Sequence, residues 1–155
     1  EPLVTSPEIA QTLRQKPQDI DVTSGIKRYL AEGDVRVSPK MNMYEAAQQI
    51  LNNKASGASV VDDDGKLVGV LSELDCLRAL MTSVYNGSDP GGSLVNEVME
   101  TNVEVADIDA DIMDVAASML DNKRRRRPVL QDGKLVGQIS CRQILRAVTE
   151  DLNKE

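Results

Sequence analysis

Two groups of side chains carry most of the chemistry in this sequence. The first is Ser72-x-x-Asp75, a hydroxyl and a carboxylate three residues apart. At a helix start this spacing makes a capping box, in which each side chain accepts a backbone N–H that the first turn leaves unpaired. Ser140-x-x-Gln143 repeats the spacing with an amide in place of the carboxylate, so capping accounts for both. The second group is Lys123-Arg124-Arg125-Arg126-Arg127, five cations in succession. The whole chain stands at −7, so everything outside this run sums to −12. Guanidinium forks pair bidentately with phosphate or carboxylate. A solvated loop or a helix C-terminus, whose outward carbonyls favour cations, accounts for the run as well. Four consecutive arginines cannot all face one ligand; a site could use one or two.

Other constellations are missing. With no His, Ser–His and Cys–His nucleophile pairs and His-bearing zinc sites are excluded. No other acid–base pair stands out, and the chain is not expected to be an enzyme. Asp62-Asp63-Asp64 has the acidity of a calcium loop without its spacing, since Leu67 stands where such a loop needs Gly. A hairpin turn fits better, and no metal is expected. Cys76 and Cys141 form no C-x-x-C motif. They read as reduced, packed thiols, which favours the cytoplasm. Negative charge and the absence of Phe and Trp argue against a nucleic-acid surface. No apolar run approaches membrane-spanning length, and Glu1-Pro2-Leu3 has no signal-peptide character.

The elements that must position these residues are repeated. Asp64-Gly65-Lys66-Leu67-Val68-Gly69 recurs as Asp132-Gly133-Lys134-Leu135-Val136-Gly137, about 68 residues later. Leu71-Ser72 answers Ile139-Ser140, Leu77-Arg78-Ala79 answers Leu145-Arg146-Ala147, and Asn53-Lys54 answers Asn122-Lys123. Each copy opens on a short alternating strand, Val35-Arg36-Val37 or Val103-Glu104-Val105. A helix with an apolar stripe follows: Met43, Ala46, Ala47, Ile50 and Leu51, or Ile112, Val115, Ala116, Met119 and Leu120. Two strands then meet at an Asp-Gly bend. Val60, Val68, Val129 and Val136 are expected near a core, and Gly69 and Gly137 to permit close approach. A second helix starts at Ser72 or Ser140, apolar at Leu74, Leu77 and Leu80, or at Ile144, Leu145 and Val148. The order is β-α-β-β-α, twice. Asn86 to Ser93 is dense in turn formers and reads as a linker. Ser6-Pro7 marks a helix to about Gln15, and Ile26 to about Ala31 a short second one. Met81, Val84 and Tyr85 run past the core register, which predicts a homodimer, with the N-terminal helix (Ile9 and Leu13) covering part of the unit or its neighbour.

These strings resemble the CBS-domain family. Val98-Met99-Glu100-Thr101-Asn102-Val103 is similar to its lead-in, and Ser59 through Asp75 to its signature, with Ser59 replacing a Pro. The second copy keeps Pro128-Val129-Leu130 but has Gln143 in place of the final Asp. The resemblance covers about residues 25–150. It implies an α+β fold, a mixed α/β sandwich of two repeats packed sheet to sheet with pseudo-two-fold symmetry. The corresponding divisions are an N-terminal helical extension at 1–24, repeats at 25–85 and 94–155, and a linker at 86–93. It further implies a regulatory module binding AMP, ADP, ATP or S-adenosylmethionine in a cleft between the repeats and reporting metabolite or energy status to an effector protein. No cofactor is required on this reading. In that family the hydroxyl and carboxylate matching Ser72 and Asp75 hold ribose. The same resemblance puts Arg125, Arg126 and Arg127 in reach of phosphate and Val105 and Ala106 beside the base. The alternative is a ligand-free dimerisation or docking module.

Overall fold

In the computed structural model the described residues are 25–30 and 34–152. The helix expected from Ser6 to Gln15 lies outside them. The described residues divide into two compact units, one of 34–103 with 132–135, the other of 25–30, 104–131 and 136–152.

In the first unit, β1 (Arg36–Val37) runs parallel to β2 (Gly57–Val61), and β2 pairs antiparallel with β3 (Leu67–Ser72). Helix α1 (Met43–Asn52) lies between β1 and β2 in the chain. Asn42 caps it by accepting from the Glu45 N–H at 2.8 Å. Its stripe places Met43, Ala46, Ala47 and Ile50 in one apolar cluster with Val35, Val37, Ala58, Val60, Leu71 and Cys76. The bend from β2 to β3 is built by Asp62, whose Oδ1 accepts from the backbone N–H groups of Asp64 and Lys66. Gly65 sits there at φ +82, a conformation that side chains resist. Helix α2 (Glu73–Asn86) follows β3 directly and ends on Gly87 at φ +67. A one-turn helix α3 (Val95–Val98) also belongs here, with Val95 wholly buried in the cluster.

The second unit has the same plan: β4 (Ala106–Asp107), α4 (Ile112–Asp121), β5 (Arg126–Gln131), β6 (Lys134–Ser140) and α5 (Cys141–Leu152), with sheet order β4-β5-β6. Its core contains Ile112, Met113, Val115, Met119, Val129, Ile139 and Ala147, together with Ile26 from a short 3-10 turn (Ile26–Tyr29). The segments leading into the repeats are therefore exchanged. Ile26, in the opening segment of the first repeat, lies in the core of the second unit, and Val95, in the opening segment of the second repeat, lies in the core of the first. Burying one large side chain in each case secures the exchange, at about 1.5–3 kcal/mol per residue.

Mixed helices and strands in two copies are as expected. Several details differ. The second opening strand lies at Ala106–Asp107, beyond Val103–Val105, because its register partners are Val129 and Leu130. Val136 is 36% exposed, since it shares a face of β6 with no core residue, while Leu135, Gly137 and Ile139 alternate inward. Leu74, Leu77 and Leu145 are exposed rather than packed, although Leu80, Ile144 and Val148 adjoin the cores. On these helices Cys76, Ser83 and Ala147 take the buried positions. Among the described residues no helix is long and apolar enough to cross a membrane.

Candidate functional site

Each unit holds its own part of the candidate chemistry. In the first, the chain turns from β3 into α2 at Ser72, which has extended backbone angles and serves as the N-cap. Ser72 Oγ accepts from the Asp75 N–H at 3.0 Å, and Asp75 Oδ2 accepts from the Ser72 N–H at 3.1 Å. The capping box expected from the spacing is therefore complete. Close strand contact supports the corner: a Cβ on Gly57 would stand 2.7 Å from the Leu71 carbonyl. Asp75 Oδ1 lies 3.6 Å from Arg78 Nη1, a loose pair whose arginine is mostly exposed. A carboxylate offers about four lone-pair positions, so the cap uses only part of its accepting capacity. Capping and ligand contact are compatible at Asp75.

The second unit repeats the corner with different electrostatics. Gln143 Oε1 accepts from the Ser140 N–H at 2.8 Å and also contacts Ser140 Oγ. A neutral amide replaces the carboxylate, and its one oxygen is already taken up by Ser140.

The basic run does not act as a block. Helix α4 ends where Lys123 adopts φ +55 and Arg124 N–H donates to the Met119 carbonyl at 2.9 Å. Arg127 turns inward at the start of β5 and is only 4% exposed. Its Nη1 donates to Ser118 Oγ at 2.7 Å and its Nη2 to Glu104 Oε2 at 3.0 Å, while the buried Nε has no partner among the described residues. Burial pulls this guanidinium below its ordinary pKa, Glu104 opposes that, and Arg124 adds to it. Arg124 reaches the other oxygen of the same carboxylate, Nε to Oε1 at 3.4 Å. Arg125 and Arg126 are exposed and join no ion pair among the described residues. Strand alternation separates Arg126 from Arg127. Of the residues expected beside a base, Val105 is exposed, whereas Ala106 is buried in β4.

Glu104 escaped the reading of the sequence. Its signal was an acid between the apolar Val103 and Val105, placed upstream of an excess of arginine. An open hollow of about 390 Å³ lies elsewhere in the first unit, bordered by Asn42, Tyr44, Glu45, Gln48 and the linker at Asp89 to Gly91. None of the expected site residues lines it. Among the described residues no cluster of three acidic or thiol groups is arranged to hold a metal.

Comparison with known proteins gives this geometry a family. The chain is 25% identical over 130 residues to MJ1225 of Methanocaldococcus jannaschii, covering 84% of this chain and 45% of that protein. It is 30% identical over 138 residues to the chloroplastic CBS domain-containing protein CBSX1 of Arabidopsis thaliana, covering 74% of this chain and 58% of the relative. The chain thus spans about half the length of these relatives. The crystal structure of CBSX2 in complex with AMP matches with a TM-score of 0.70 at 27% identity, over 81% of this chain and 96% of that one. The CBS domain family model matches residues 26–82 and again 95–150. With most of its length taken up by these two copies, the chain belongs to the CBS-domain family.

Proposed function

We propose that this CBS pair, organised as repeats at 25–85 and 94–155 joined by a linker at 86–93, binds an adenosine-containing ligand and serves a separate effector as a sensor of metabolite or energy status. Ser72 and Asp75 take the ribose, Arg125 and Arg126 the phosphate, and Val105 borders the base, backed by the buried Ala106. Arg127 supports the run from inside rather than meeting ligand. The observation that carries this reading is Asp75, a carboxylate fixed at both ends of a capping box that still has accepting capacity for a diol. CBSX2, similar over nearly its whole chain, is a complex with AMP. The role is regulatory rather than catalytic, and the compartment is the cytoplasm.

Titration calorimetry with adenosine, AMP, ADP, ATP and S-adenosylmethionine tests it. At least one should bind, and Arg126→Ala should weaken AMP by about tenfold or more, the value of one charge-assisted hydrogen bond, while leaving adenosine unchanged. Binding of none at millimolar concentration would leave the docking-module reading. One observation favours an assembly role in either case. Leu74, Leu77, Met81, Val84 and Tyr85 are all exposed on α2, at spacings of three and four that form a stripe. We propose that this stripe pairs two copies; light scattering that finds only monomer at tens of micromolar would remove it.

A further inference from the structure

The two repeats provide an internal control for the half-buried pair of Glu104 and Arg127. Strand register fixes the correspondence, since Val37 pairs with Val60 and Ala106 with Val129. Two residues before each of these, Glu104 stands where the first repeat has Val35, and Arg127 where it has Ala58. Val35 and Ala58 are both buried members of an apolar core. The fold therefore has an apolar solution at this pair of positions. Replacing such a solution by an ion pair generally gains no stability, because the buried Arg127 loses its hydration and the part-exposed Glu104 some of its own. The exchange is concerted, acid for one residue and base for the other, and it falls at the arginine run.

What the pair does there is arrange cations. Glu104 accepts from Arg127 at 3.0 Å and Arg124 at 3.4 Å, and also from Asn122 Nδ2, while Ser118 takes the other end of Arg127. One carboxylate thus engages the first and last arginines of the run, Arg124 at the surface and Arg127 inside, while the middle two join no ion pair among the described residues. We infer that Glu104 is a positioning residue that, by drawing Arg124 and Arg127 to itself, leaves Arg125 and Arg126 as the two unpaired guanidinium groups of the run, beside the exposed Lys123, and so sets the site for a phosphate monoester rather than a polyphosphate. Two guanidinium groups match the charge of a monophosphate, between about −1.5 and −2 at neutral pH. A longer phosphate chain would need Arg124 as well, which Glu104 holds.

This inference rests on the ligand reading above, and the experiment separates the two. Glu104→Val/Arg127→Ala installs the first repeat's own residues and frees Arg124. In wild type AMP should bind at least as tightly as ATP. In the double variant the preference should move toward ATP by about tenfold, equivalent to one added charge-assisted contact. Glu104→Gln, which keeps the side-chain shape, should move it the same way. A wild-type protein that binds neither nucleotide overturns the ligand reading and this inference with it. AMP binding with an unchanged AMP-to-ATP ratio in both variants overturns the inference alone. Phenylglyoxal labelling resolved by mass spectrometry needs no ligand. Arg125 and Arg126 should label fastest, Arg124 more slowly and Arg127 least, with Arg124 rising to the rate of Arg125 in the double variant. Equal labelling of Arg124 and Arg125 in wild type would contradict the restraint by Glu104.

Discussion

Gly69→Ala and Gly137→Ala change the same motif residue in the two repeats, and the structure gives them different outcomes. A Cβ on Gly69 would stand 2.7 Å from Met99 Sδ and 2.9 Å from the Glu100 carbonyl oxygen. The methionine can swing aside. The carbonyl is fixed by a reciprocal bridge, Val70 N–H to Glu100 O and Glu100 N–H to Val70 O, each at 2.9 Å. Overpacking alone costs about 1–3 kcal/mol, and loosening the bridge adds about 1 kcal/mol per hydrogen bond. A loss of roughly 2–4 kcal/mol is expected. At Gly137 the nearest atoms are Leu30 side-chain carbons at 3.5 and 3.6 Å, an ordinary contact. Alanine there also restricts the unfolded chain, so the net change should stay within about 1 kcal/mol of zero. At about 2–4 °C per kcal/mol, the two variants should melt roughly 5–10 °C apart. Circular dichroism melts and urea midpoints at constant slope measure the difference. Equal melting of the two variants, or a larger loss at Gly137, would refute the exchange of lead-in segments on which the argument depends.

Ser72→Ala should cost about 1 kcal/mol in urea unfolding by removing a cap, and Ser140→Ala a similar amount; no loss at either would contradict the capping geometry. Val60→Ala and Val129→Ala empty fully buried sites and should each lose about 1–3 kcal/mol, whereas Val136→Ala should lose clearly less. Cys141 is exposed and Cys76 buried, so a thiol reagent should label Cys141 at once and Cys76 only on opening. Burial first, then the charges of Asp75 and Glu73, raise the Cys76 thiol pKa. A raised folded value stabilises below the unfolded thiol pKa of about 8.5 and is lost as pH climbs through the folded value. The stability difference between wild type and Cys76→Ala should therefore shrink above about pH 9; a constant difference would remove the effect.

The sequence made the repeated hairpins and capped helices legible because their signals are local. Asp-Gly bends, Ser-x-x-Asp and apolar residues every three or four positions each need only neighbours to be read. The failures are all of tertiary origin. The opening strand of the second repeat is two residues long, and β5 sets its register, so the alternation at Val103 to Val105 misplaced it. Leu74, Leu77 and Leu145 fit a helical stripe, yet Cys76 and Ala147 take the inner positions on those helices. The basic run read as a uniform block because nothing in Arg124 to Arg127 tells one arginine from the next. Glu104, some twenty residues upstream, makes the distinction.

The central claim is that Asp75 makes the first repeat's corner a ribose site, and AMP-dependent melting of wild type and Asp75→Asn tests it most directly. An amide oxygen can keep the cap bond to the Ser72 N–H, so the unliganded melting point should barely change. AMP at a hundred times its dissociation constant should stabilise wild type by about 2.7 kcal/mol, a rise of roughly 5–10 °C. Asp75→Asn should lose most of that rise, since it offers one neutral acceptor where the diol needs a carboxylate. A wild-type melt that AMP does not move, or an Asp75→Asn protein that responds as wild type does, would contradict the account.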